Sequence, residues 1–130
     1  MTIASQPIPD VSEADVQHIL LRDYPADMHD EAMVELTRLG GSSSVHKEPR
    51  IYLAVLKLAN GSLEQLKLCV DAAVRDYRDV LMEAEYLRVA NHAYVMERWS
   101  RDEQQVLIDA DWEEYKRWLG RADLKAIKRS

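Results

Sequence analysis

The chain has 130 residues, of which 47% are hydrophobic and 31% are charged, and its formal net charge is −6. This length favours one domain over residues 1–130, with roughly two thirds of its unfolded surface buried. The acidic balance argues against a nucleic-acid partner, which requires a local excess of Lys and Arg. No apolar run approaches the ~20 residues that span a bilayer, and a single cysteine is typical of a reducing compartment. We therefore expect a cytoplasmic protein with neither a nucleic-acid nor a membrane partner.

The first forty residues predict an extended arm followed by two helices. Residues 1–11 contain two prolines and show no periodicity, so they are predicted to form an N-terminal arm. Ser12 followed by Asp15 resembles a capping box that opens the first helix, and Pro25 ends that helix. A second helix follows with apolar residues at three- to four-residue steps, and it stops at the glycine pair 40–41.

An α-helical hairpin forms the centre of the predicted fold. Its first helix, residues 51–59, contains only one charged residue, Lys57, and a helix of this composition is covered on several sides. Asn60 and Gly61 make the turn, and the second helix spans residues 62–84. Because so few residues join the two helices, we expect them to pack side by side. The apolar stripe of the second helix comprises Leu63, Leu66, Val70, Ala73, Val74, Tyr77, Leu81 and Ala84.

A second apolar stripe begins where the first stripe ends. Continuing the same helical face would bury Arg88 and Asn91, whereas the new stripe is turned by roughly 140° on a straight helix. Either the helix breaks near residues 83–87, or one helix continues to about residue 98 and serves two packing layers. We favour the break, although neither Gly nor Pro marks it. The second stripe comprises Met82, Tyr86, Val89, Ala90, Ala93 and Met96.

The last helix completes an all-α fold. Ser100 opens this helix with a capping box and Gly120 ends it, and residues 121–130 form a basic C-terminal tail. Together these elements predict an irregular bundle of five to six helices around the central hairpin of residues 51–59 and 62–84.

The most distinctive short string is Asp-Tyr-Arg-Asp at residues 76–79. A guanidinium fork suits an acidic ligand, so Arg75 and Arg78, together with Asp79, are the candidate ligand-binding residues. The competing interpretation places Tyr77 in the core and leaves the charges in weak pairs along an exposed helix. We favour this second interpretation.

Signatures of catalysis and metal binding are weak. No Glu-x-x-His pair of the di-iron type occurs, and Asp15 with His18 lacks a second matching pair, so we predict neither a metal site nor a cofactor. Cys69 lies beside the apolar stripe and is predicted to be a buried, inert thiol. Residues 42–44 next to His46 form a linker rather than a nucleophile and base. No catalytic residue is therefore predicted.

Surplus apolar surface is the main functional clue, because exposed apolar patches mark interaction sites. We predict a non-enzymatic protein-interaction or regulatory module, with a homodimer as one form. The alternative is a small ligand-binding protein or enzyme with a pocket lined by Tyr, His and Arg. A weaker alternative is an acidic antitoxin or immunity partner of a basic protein. The predicted partner surface comprises Tyr86, Val89, Met96, Trp99, Trp112 and Trp118.

Residues 50–86, RIYLAVLKLANGSLEQLKLCVDAAVRDYRDVLMEAEY, resemble a segment of small, all-helical bacterial proteins of unassigned function. The shared pattern is Leu-Ala-x-Leu-Lys-Leu, then Asn/Asp-Gly, then Leu-x-x-Leu, then Asp-Tyr-Arg-Asp-Val-Leu. The resemblance implies a bacterial protein and supplies no catalytic residue.

Overall fold

The fold consists of six α-helices in the computed structural model, which describes residues 4–40 and 48–127. The predicted all-α class is confirmed, and within these described ranges the only extended pairing is an isolated antiparallel bridge between Pro9 and Ala126. In the same ranges, no helix has the length and apolar character needed to cross a membrane. The helices are α1 (Glu13–Asp23), α2 (His29–Gly40), α3 (Pro49–Ala59), α4 (Leu63–Glu85), α5 (Leu87–Met96) and α6 (Arg101–Leu119).

Backbone contacts divide the chain into two compact units. The hairpin unit consists of residues 11–84, and the terminal unit combines residues 1–10 with residues 85–130. The boundary near residue 84 coincides with the end of the first apolar stripe of the sequence. One domain over the whole chain stays a prediction.

Helix α3 forms the core of the hairpin unit. Pro49 occupies its first turn, where a missing N–H costs nothing, and Asn60 ends it in the left-handed conformation with φ 51°. The helix packs most closely against α1. Its predominantly apolar composition is explained by burial on several sides, as the sequence predicts. The buried residues of α3 are Ile51, Leu53, Ala54, Val55, Leu56 and Ala59.

The turn between α3 and α4 lies against the end of α1. Gly61 has φ +81°, and a Cβ atom at this position would lie 3.1 Å from the carbonyl oxygen of Asp23. The hydroxyl of Tyr24 donates to the carbonyl oxygen of Ser62 over 3.5 Å. Burial raises the pKa of Tyr24 to about 12, with smaller contributions from Asp23 and Cys69, so the phenol keeps its proton. Both the positive φ of Gly61 and its close approach to Asp23 therefore favour glycine at this turn.

Helix α4 contains a break that the sequence analysis missed. Asp76 has φ −156° and ψ 97°, which are extended rather than helical values. After the break, Val80 and Ala84 are the buried apolar residues, whereas Tyr77 is only half-buried. A continuous wheel therefore misplaces the buried face beyond residue 76. Before the break, the predicted stripe is also wrong at Val74, which is exposed.

The favoured break near residues 83–87 is confirmed. Helix α4 ends at Glu85, Tyr86 has φ −137° and ψ 50°, and α5 begins at Leu87. Helix α5 then packs against α6 within the terminal unit. The buried residues of the hydrophobic cluster in this unit are Ala4, Tyr86, Val89, Met96 and Ile108.

The N-terminal arm joins the C-terminal segment in the terminal unit. The Ile127 N–H donates to the carbonyl of Ile8 over 2.8 Å, and the Asp10 N–H donates to the carbonyl of Lys125 over 2.9 Å. Residues 4–10, the part of the arm that the structure describes, belong to no helix and satisfy part of their backbone by pairing with the C-terminal segment.

Candidate interaction site

Three large apolar side chains are exposed on neighbouring turns of α2 and α4. Val34 is 63% exposed, Leu68 is 56% exposed and Val74 is 36% exposed. Single exposed apolar residues are ordinary on protein surfaces, but a group of them around charged side chains resembles an interaction patch. We call this surface the α2–α4 face. It comprises the lining of one cleft, Arg38, Leu68, Asp71, Val74 and Arg75, together with Val34, which lies one helical turn before Arg38 on α2.

An ion-pair network connects the two helices of the α2–α4 face. The Arg38 guanidinium donates to Glu35 over 2.8 Å along α2, and it also pairs with Asp71 of α4. The hydrogen bond to Asp71, followed by the bond to Glu35, raises the pKa of Arg38 above its usual value. Arg38 is therefore already neutralised by carboxylates of the same unit.

A cleft of about 450 Å³ lies on this face, lined by Arg38, Leu68, Asp71, Val74 and Arg75. Its volume falls within the roughly 300–1,000 Å³ of typical small-ligand sites. Arg75 also lines an adjacent cleft of about 200 Å³. Within the ranges that the structure describes, Arg75 has no ion-pair partner. Its guanidinium is therefore available to donate hydrogen bonds to a carboxylate from outside the chain.

The three predicted ligand-binding residues do not form one site. Arg75 and Asp79 line the smaller cleft together with Asp76, but Arg78 does not. The side chain of Arg78 instead donates to Asp76 at 3.1 and 3.4 Å, and its backbone N–H donates to the same carboxylate at 3.1 Å. These hydrogen bonds, the side-chain bonds first, lower the pKa of Asp76. Asp76 therefore caps the helix that begins again after the break, and the side chain of Arg78 holds the Asp76 carboxylate in that position.

The predicted partner surface on the second stripe is largely core. Tyr86, Val89 and Met96 are buried, because Ala4 of the arm and Ile108 of α6 cover that side of α5. This burial explains their apolar character and corrects the prediction that they form an open surface. The tryptophans of the same prediction, Trp99, Trp112 and Trp118, are all half-buried.

Asp111 is a buried polar residue that the sequence analysis missed. It is 2% exposed, and its carboxylate accepts the backbone N–H groups of Arg88 at 3.3 Å and Val89 at 3.2 Å. These N–H groups belong to the first turn of α5, where no intrahelical partner exists. The Arg88 side chain also donates to Asp111 at 2.9 Å and to Glu114 at 2.5 Å. A side chain of α6 thus caps α5.

Gln104 performs the matching role at the other end of α5. It is fully buried, and its Nε2 donates to the carbonyl oxygens of Met96 at 2.8 Å and Trp99 at 3.4 Å. Its Oε1 accepts the N–H of Ala4 at 2.8 Å. A sequence signal exists in retrospect, because Gln104 and Asp111 share a helical face with the buried residues Ile108, Tyr115 and Leu119.

The candidates for chemistry have structural roles. Burial, followed by the charge of Glu83, raises the pKa of the half-buried Cys69 thiol, which disfavours the reactive thiolate. Asp15 accepts the backbone N–H of Ser12 at 2.9 Å in the predicted capping box. No group of three metal-ligating side chains occurs within residues 4–40 and 48–127. The predicted linker, residues 42–44 with His46, lies outside the described residues.

Comparison of the chain with family models, curated proteins and solved structures gives no match. The resemblance of residues 50–86 to small bacterial helical proteins therefore stays a prediction.

Proposed function

We propose that the chain is a non-enzymatic, cytoplasmic protein-interaction module whose partner binds the α2–α4 face. The observation that carries this proposal is the exposure of Val34, Leu68 and Val74 around the Arg38–Asp71 ion pair. An apolar centre next to arginine side chains is the composition that protein interfaces favour. A second copy of the chain and a different protein are both partners of this kind.

Two leucines of similar exposure make it possible to test whether binding depends on the α2–α4 face or on any exposed apolar residue. Leu68 on α4 and Leu21 on α1 are similarly exposed, at 56% and 63%, and both belong to the hairpin unit. Only Leu68 lines the cleft of the α2–α4 face. An aspartate at either position adds the same charge without filling the core, so any difference between the variants reports on the location.

The test uses the full chain, immobilised, to capture proteins from a lysate of the native host. We expect the wild type and Leu21→Asp to retain the same partner, whereas Leu68→Asp loses at least about nine tenths of it, since a charge in a desolvated interface centre costs on the order of 2 kcal/mol. Circular dichroism of both variants checks the fold. Equal capture by Leu68→Asp and the wild type contradicts the proposal.

A second candidate function is the binding of a small organic anion in the 450 Å³ cleft. The specific observation in its favour is Arg75, which lines both clefts and has no ion-pair partner in the described part of the chain. Native mass spectrometry of the protein purified from its host tests this function. Arg75→Gln should remove the bound mass and Arg78→Gln should retain it, because Arg78 is engaged by Asp76.

A further inference from the structure

The arm of the terminal unit is held by contacts that recognise an extended segment. Ala4 is buried in the cluster formed with Tyr86, Val89, Met96 and Ile108. Its N–H donates over 2.8 Å to Oε1 of Gln104, and that side chain is fixed by the end of α5. The anchor position therefore has room for a small apolar side chain whose N–H meets a buried acceptor.

Further along the arm, the contacts are made to the backbone. The Tyr86 hydroxyl donates to the carbonyl oxygen of Pro7. Backbone hydrogen bonds join Ile8 to Ile127 and Asp10 to Lys125. Main-chain pairing combined with one side-chain pocket is the mode by which proteins bind extended peptides. We call this set of contacts the arm site.

The arm and the residues that bind it are distant in the sequence. Residues 11–84, which form the hairpin unit, separate it from the remainder of the terminal unit. The described arm residues belong to no helix, so leaving the site breaks no internal helix of the arm. An extended segment held by such contacts can be replaced by the same segment of another copy with every contact retained, which is the basis of domain swapping.

We infer that the arm site accepts residues 4–10 of a second copy, which produces an arm-exchanged dimer. The inference rests on the terminal unit and is independent of the α2–α4 face. The attached arm competes for the site as a segment of the same chain, and the effective concentration of such a segment is on the order of mM. Exchange therefore becomes substantial when the protein itself approaches on the order of 1 mM.

The first experiment measures recognition of the arm in trans. A fluorescently labelled peptide of residues 1–10 is titrated by anisotropy with three full-length chains: the wild type, Ala4→Asp and Ser5→Asp. Ala4 is buried and Ser5 is exposed. An aspartate at position 4 should therefore release the attached arm from the arm site, whereas an aspartate at position 5 should leave it bound. We expect the Ala4→Asp chain to bind the peptide about tenfold more tightly than the other two, because they retain the competing arm. A peptide with the same Ala4→Asp change should not bind.

Equal affinity of all three chains for the peptide, or no binding by the Ala4→Asp chain, overturns the inference. Tryptophan fluorescence and circular dichroism establish that this variant is folded. The second experiment does not depend on its folding. Sedimentation equilibrium of the wild type should show a dimer fraction that increases as the protein concentration approaches 1 mM. An excess of free peptide should convert this dimer to monomer. A wild type that stays monomeric throughout overturns the inference.

Discussion

The two units differ in how deeply they bury polar side chains: Asp15 and Glu35 of the hairpin unit are 6% and 9% exposed, whereas Gln104 and Asp111 of the terminal unit are 0% and 2% exposed. The hairpin unit is built around α3, which buries only apolar side chains, and it leaves Val34, Leu68 and Val74 exposed on its α2–α4 face. The terminal unit hides the apolar stripe of α5 and buries Gln104 and Asp111 beside it.

This difference teaches that apolar patterning alone does not distinguish a core from an interface. The second stripe suggested a partner surface because the sequence did not reveal what covers it. Ala4 and Ile108 cover it, and they lie far apart in the sequence. Both units also expose large apolar side chains, among them Leu68 of the hairpin unit and Val106 of the terminal unit. Val74 is exposed although the sequence predicted it in the core stripe.

The largest expected effect tests the apolar core of the hairpin unit. Leu56→Ala should lower the free energy of unfolding by roughly 2–5 kcal/mol, because Leu56 is fully buried and its truncation leaves a cavity. Urea denaturation followed by far-UV circular dichroism measures the loss. Leu58→Ala is the control on the same helix, since Leu58 is only half-buried. Equal losses for both variants would show that α3 is not covered as described.

The next effect tests the polar interior of the terminal unit. Asp111→Ala should cost roughly 1–3 kcal/mol, because the buried N–H of Val89 and the partly buried N–H of Arg88 lose their acceptor. All three tryptophans lie in the terminal unit, so tryptophan fluorescence during urea denaturation reports on it. The exposed Asp109 of the same helix provides the control. Similar midpoints for Asp111→Ala and Asp109→Ala would mean that α5 needs no cap from α6.

A smaller effect tests the turn that places α3. Gly61→Ala should cost about 1–2 kcal/mol, because a Cβ atom is strained at φ +81° and approaches the Asp23 carbonyl. Gly61→Asn shares the close contact but tolerates the left-handed conformation better. Thermal unfolding of the two variants therefore separates the loss of stability caused by backbone strain at residue 61 from the loss caused by the close approach of its Cβ atom to Asp23. Wild-type stability in Gly61→Ala would contradict the close approach to α1.

The smallest effect concerns the exposed cap of the α4 break, and it depends on pH. The pKa of Asp76 is lowered in the folded state, so its stabilisation is present above the unfolded pKa and is lost as the pH falls through the folded pKa. The urea midpoint of the wild type should exceed that of Asp76→Asn near neutral pH, and the difference should shrink in acid. Asp102→Asn, on an exposed residue of α6, is the control. A pH-independent difference would contradict the role of the carboxylate.

The sequence predicted those features that local patterns determine. The capping boxes at Ser12 and Ser100 and the α3–α4 turn each depend on a few neighbouring residues, and the break near Tyr86 is marked by a change of apolar stripe. The break at Asp76 was missed because the apolar stripe continues across it from Val74 to Tyr77, although an aspartate there can cap a restarted helix.

The candidate site was harder to predict, because it depends on which elements meet. Arg75 was identified as a candidate, but its setting requires Arg38 of α2 and Leu68 of α4 to line one cleft. The ion pair between Arg78 and Asp76, two residues away, depends on the break in α4, which the sequence did not predict. The roles of Gln104 and Asp111 likewise depend on α5 lying against α6, which no local pattern specifies.

A photocrosslinking amino acid tests the central claim most directly, because it records which unit touches a partner in the cell. It is placed at Leu68 on the α2–α4 face in one full-length chain and at Tyr94 in another. Tyr94 is the matched control, since it is 85% exposed and belongs to the terminal unit. We expect a crosslinked protein adduct from position 68 and none from position 94. An adduct from position 94 alone would place the interaction on the terminal unit and contradict the account.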